Sequence, residues 1–77
     1  MKVEALLSPI LKLKAPLRLE DSPKTISAWD SIAHIQLIIA IEDVIDGELT
    51  TEEVVSMTSV SKIIAICGAR GVELTIE

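Results

Sequence analysis

Three side chains in this 77-residue sequence stand out by type and position as candidates for chemistry: Ser31, His34 and Cys67. Ser31 follows Asp30 and opens a long apolar stretch, so its hydroxyl stands where a helix begins. A serine there can cap the helix by accepting a first-turn N–H, a contribution of about 1 kcal/mol. Such a serine is most often only a cap, but exposed at the end of a long loop and the start of the most hydrophobic helix it can also be an attachment point. A phosphodiester on that oxygen faces the free N–H groups and the positive end of the helix dipole, favourable by about 0.3–1 kcal/mol per charge. A third use, hydrolysis with His34 as base, needs a group to orient the imidazole and a set of oxyanion donors, and neither is readable. A histidine without cysteine or histidine partners predicts no metal site. Cys67 closes the apolar run Ile63-Ile64-Ala65-Ile66-Cys67 and reads as a small buried hydrophobe.

The elements that position these groups are helical. Val3, Leu6, Leu7, Ile10 and Leu11 recur at helical spacing, with Pro9 either opening a helix capped by Ser8 or kinking one that starts near Lys2. Residues 15–30 hold two prolines and lack periodicity, giving a long first loop of the kind that is functional or mobile. Ser31 to Asp46 runs sixteen residues without glycine or proline, too long for an ordinary strand. It is apolar on nearly every side, as the central helix of a bundle is. Gly47 is expected to end it. Thr50-Thr51-Glu52-Glu53 forms a capping box for a short third helix, and Thr58 or Ser59 caps a last helix stopped by Gly68. The alternating tail Val72-Glu73-Leu74-Thr75-Ile76-Glu77 has no evident partner strand, so residues 68–77 are expected to be loosely attached. The fold class is all-α, one domain over residues 1–77, a four-helix bundle with a short third helix. A chain this short cannot fill two cores and buries only about 60 % of its unfolded surface.

Composition bounds the function. The net charge is −5, and Leu19 to Met57 carries nine acids against one base, Lys24. That balance disfavours nucleic acid and anionic lipid surfaces and suits a partner with a basic face. One cysteine precludes an internal disulfide and points to the cytoplasm. The N-terminal apolar stretch is broken by Glu4, Pro9, Lys12 and Lys14 and does not read as a signal peptide. No membrane insertion is expected, and the chain is taken as a monomer.

The ordered pattern resembles the acyl carrier protein family. Asp30-Ser31-Ile32 matches the Asp-Ser-Leu signature around that family's attachment serine. Leu37, Ala40-Ile41-Glu42-Asp43 and Leu49 match its second helix and the connection after it. Thr50 to Val60, ending Met57-Thr58-Ser59-Val60, matches the third helix and the start of the fourth. The match runs without a gap from Asp30 to Ile66. The resemblance implies a bundle of the acyl-carrier type and a 4'-phosphopantetheine arm, donated by coenzyme A and attached to Ser31, with Asp30 beside it. It implies that the chain is no enzyme: the arm's thiol carries an acyl or aminoacyl thioester, presented to other proteins. The implied partners are a phosphopantetheinyl transferase, an acyl-loading ligase, and acyl transferase or synthase enzymes. Docking falls to Ile32, Glu42, Asp43, Asp46 and Glu48, and Ile38, Ile41, Met57, Val60 and Ile63 are candidates for an acyl cleft.

Four positions depart from the pattern. Ile45 stands where a phenylalanine is common, Gly47 falls one place late, Gln36 replaces a common acid, and Trp29 precedes Asp30 where a small residue is usual. These departures favour a specialised pathway, in secondary metabolism or in lipid or saccharide modification, over housekeeping fatty acid synthesis. Trp29 is expected either beside the arm or as a loop anchor, and His34 as a surface residue flanking the arm. The competing reading is a helical protein-interaction adaptor that binds through the second helix, with Ser31 only a cap.

Overall fold

The computed structural model describes residues 2–13 and 15–76. Among the described residues four helices occur in order: α1 Val3–Leu11, α2 Ser31–Ile45, α3 Thr51–Ser56 and α4 Val60–Ala69. The described residues form no strand, only one isolated parallel bridge between Lys2 and Thr75. The architecture is small and helical, and α1 packs against α2.

Each helix that contributes to the core buries one stripe at i, i+4 or i, i+3 spacing, which places successive side chains on one face. Val3, Leu7 and Leu11 come from α1, Ala33, Leu37 and Ile41 from α2, and Val60, Ile63 and Cys67 from α4. Met57, between α3 and α4, is buried with them, as are Leu17 and Trp29 from the first loop. Among the described residues these aliphatic chains and one indole make a single core. Cys67 lies inside it, and desolvation pushes its thiol pKa up, as expected of a packing residue.

The helix ends resolve one open choice and depart from expectation in two places. α1 starts at Val3 with Pro9 inside it, so the longer of the two readings holds. The left-handed residue after α2 is Asp46, φ 53°, rather than Gly47, a conformation aspartate tolerates better than most residues. Gly68 lies within α4, and the left-handed glycine past its end is Gly71, φ 83°. A lone glycine permits helix as well as turn, so local sequence does not locate the stop. The capping box of Thr50 and Glu53 forms as read, and Ser59 caps α4 by accepting from Lys62 N–H.

The first loop is tied down along its length. Asp21 is buried: its Oδ2 accepts from Arg18 N–H at 2.8 Å and its Oδ1 from the Thr25 hydroxyl at 3.0 Å. The carbonyls of Asp21 and Leu19 accept from Val60 and Ser61 N–H, at 2.9 and 3.1 Å. The loop thereby satisfies first-turn N–H groups of α4 that a helix leaves without partners.

The tail is also held, against the expectation of a loose attachment. Leu74 is 4 % exposed within the core, and Val3 N–H donates to Thr75 O at 2.9 Å. The partner that local sequence did not reveal is the start of α1, at the opposite end of the chain. Arg70 anchors the approach to the tail: its guanidinium pairs with both Glu53 carboxylate oxygens and donates to Glu48 O at 2.9 Å. That contact joins the end of α4 to the start of α3.

Candidate functional site

The site begins with the division of labour between Asp30 and Ser31. Asp30 is the N-cap of α2, with extended backbone, and its Oδ1 accepts from Ala33 N–H at 2.8 Å. Ser31 is the first helical residue and is exposed. Its hydroxyl makes no hydrogen bond to any described residue. Because the aspartate already serves as cap, the serine oxygen has no structural duty. The adaptor reading assigned Ser31 the cap, and the structure corrects that assignment.

Beside Ser31 lies an open concavity of about 590 Å³ between the start of α2, α3 and the loop. Trp29, Asp30, His34 and Ile35 form one wall, and Val54, Val55, Met57 and Thr58 the other, with Pro23 at the rim. The surface is mainly apolar, and a chain attached at Ser31 can lie along it.

Trp29 occupies the core, 3 % exposed, as the loop-anchor alternative required, and it also borders the concavity. Its indole N–H donates to His34 Nδ1 at 3.1 Å. His34 Nε2 lies 3.4 Å from Val54 O in α3. His34 is therefore half-buried and engaged at both nitrogens, not a free surface flank. Its nitrogens face Trp29 and Val54 rather than the Ser31 hydroxyl. Spacing along α2 put His34 near Ser31, but nothing in the local sequence marked Trp29 as its partner.

The acyl-cleft candidates divide. Ile41, Met57, Val60 and Ile63 are at most 1 % exposed and close together in the core, and Ile38 is half-buried. Only Met57 of the five borders the concavity beside Ser31. Ile41, Val60 and Ile63 belong to the buried core and do not line the concavity beside Ser31. Sequence patterning does not distinguish a packed interior from a lined cavity, since both need the same apolar side chains.

The docking candidates divide as well. Glu42 has a structural role, since its Oε2 accepts from Leu49 N–H at 2.9 Å and ties the connection after α2 back onto the helix. Of the other acids, Asp46 and Glu48 lie in the connection after α2, and Asp43 stands on its last turn. Ile32 is 69 % exposed, and Ile35 and Ile39 continue the same stripe at 58 % and 62 %. Val55 on α3 stands out equally. The second helix, apolar on nearly every side in sequence, shows water a row of isoleucines that ends in acids. Ile35, Ile39 and Val55 were missed as surface residues because their types alone predict burial.

The phosphopantetheine group suggested by the resemblance fits the residues present. An unbonded primary hydroxyl stands at a helix N-terminus, and an apolar trough leads away from it. Among the described residues there is no group of three or more His, Cys, Asp or Glu arranged to hold a metal ion. No described helix is long and apolar enough to cross a membrane. Compared with known proteins, the chain matches no family model and no curated sequence.

Proposed function

We propose that this protein is a carrier that holds acyl or aminoacyl groups on a 4'-phosphopantetheine arm esterified to Ser31. The observation that carries the reading is the exposed, hydrogen-bond-free Ser31 hydroxyl at the first position of α2, left free because Asp30 caps the helix. A phosphopantetheinyl transferase is the modifying partner. The serine oxygen forms a bond to phosphorus, the pyrophosphate linkage of coenzyme A breaks, the adenine nucleotide departs and the hydroxyl proton is lost to the transferase. When attached, the arm supplies a terminal thiol that forms thioesters.

The remaining work belongs to this chain's own residues. The N–H groups of the first turn of α2 favour the phosphodiester charge. Trp29, Ile35, Val54 and Val55 offer apolar contact along the trough. Ile32, Ile35 and Ile39, with Asp43, Asp46 and Glu48 beyond them, form a surface suited to loading and transferring enzymes whose docking face is apolar with a basic margin. Ile41, Val60 and Ile63 are core residues that do not line the concavity at Ser31, which favours cargo held along that trough.

One observation favours the adaptor as a second reading. The isoleucine row on α2 is a binding face whether or not Ser31 is modified. One experiment separates the two. The full chain is incubated with coenzyme A and a broad-specificity transferase, and intact masses of wild type and Ser31→Ala are compared. A carrier gains one phosphopantetheine mass in the wild type and none in the variant. An unmodified wild type, folded by circular dichroism, refutes the carrier and leaves the adaptor.

A further inference from the structure

Trp29 and His34 are the chain's only tryptophan and only histidine, and they meet beside Ser31. Their rings lie 6.3 Å apart at 22°. The contact settles which imidazole nitrogen carries the proton. An indole N–H can only donate, so His34 Nδ1 accepts and must hold a lone pair. The single proton of the neutral ring then sits on Nε2, on the side of Val54 O.

A second proton has one place to go, Nδ1, where the indole N–H already points. Two N–H donors would then face each other across 3.1 Å. Trp29 cannot keep that position, because a buried donor left without an acceptor is penalised.

We propose that the Trp29–His34 pair is a latch released by protonation of the imidazole. With His34 neutral, the indole holds the end of the first loop to α2 and His34 Nε2 meets Val54 O of α3, which closes one side of the concavity at Ser31. With His34 charged, the indole lets go, the loop end loosens and the concavity widens. Of the charged residues, Asp30 lines the same concavity as His34, and Lys24, Glu52 and Glu53 stand one or two positions in sequence from its lining residues Pro23 and Val54. Asp30 is engaged with Ala33 N–H and Glu53 with Arg70 and Thr50, and none of the four forms an ion pair with His34. This inference does not depend on the carrier reading, since it concerns a contact present in the unmodified chain.

The test is nuclear magnetic resonance of the full chain between about pH 5 and 8, where imidazoles ordinarily change charge. The indole N–H, the His34 ring and the amides of Ser31 and Val54 are followed together. The indole resonance is expected to move with the midpoint of the His34 ring, and its exchange with solvent to rise by about tenfold or more in the charged state. In Trp29→Phe, which keeps an aromatic ring but lacks the N–H, the Ser31 and Val54 amides should stop following the ring. In His34→Gln the indole resonance should be flat with pH. An indole that stays fixed while His34 titrates overturns the latch. So do Ser31 and Val54 amides that respond in Trp29→Phe as in the wild type.

Discussion

Replacing Asp30 and Ser31 separately tests the feature on which the site depends, the assignment of the cap to one and of the free hydroxyl to the other. Asp30 Oδ1 accepts from Ala33 N–H at 2.8 Å, and its charge sits at the positive end of a fifteen-residue helix. Loss of a capping side chain costs about 0.5–2 kcal/mol. The interaction of its charge with the helix dipole adds about 0.3–1 kcal/mol at low salt. Asp30→Ala removes both contributions, whereas Asp30→Asn and Asp30→Ser keep a capping oxygen and lose only the charge. For a domain of this size, 1 kcal/mol corresponds to a Tm change of about 4–8 °C. Asp30→Ala should therefore melt about 4 °C or more below the wild type. Asp30→Asn and Asp30→Ser should lie between them, approaching the wild type as salt is added. Ser31→Ala should melt within about 0.5 kcal/mol of the wild type, because an exposed hydroxyl without a partner contributes little. Thermal unfolding by circular dichroism measures all four variants. If Ser31→Ala loses as much as Asp30→Ala, the serine is the cap, and the reasoning that leaves its oxygen free for modification is refuted.

Two further outcomes are expected from the packing. Leu74→Ala should destabilise by about 2–5 kcal/mol in chemical denaturation, as truncation of a buried leucine does; an unchanged midpoint would mean that the tail is loosely attached after all. Glu53 is held below the usual carboxylate pKa range, first by hydrogen bonding to the Arg70 guanidinium and then by Thr50 N–H. A depressed folded-state pKa means that its stabilisation is full above the unfolded-state value and is lost as pH falls through the folded-state one. Glu53→Gln should thus be less stable than the wild type near neutrality, the gap narrowing on acidification. A gap independent of pH in urea titrations would contradict the pairing, and added salt should shrink it because both side chains are partly exposed.

The features legible in residue order are local ones. The capping box at Thr50, a cap at Thr58 or Ser59 and the placement of Ser31 at a helix start all depend on residues within a turn of one another, and could be read for that reason. Long-range packing resolved the choices that local pattern leaves degenerate. α2 is apolar on nearly every side, so periodicity could not say that Ala33, Leu37 and Ile41 face inward while Ile32, Ile35 and Ile39 face water; the packing of α1 on that helix chose the face. Adjacent aspartate and serine are both good caps, and only the folded backbone assigns the bond to Asp30. Val3 and Thr75, like Trp29 and His34, meet through contacts that no spacing rule encodes. Ile41, Met57, Val60 and Ile63 share the composition of a cleft and of a core, and the closeness of segments distant in sequence makes them a core. Short-range hydrogen bonding is written in residue order. Burial is settled only when the whole chain has collapsed around one interior.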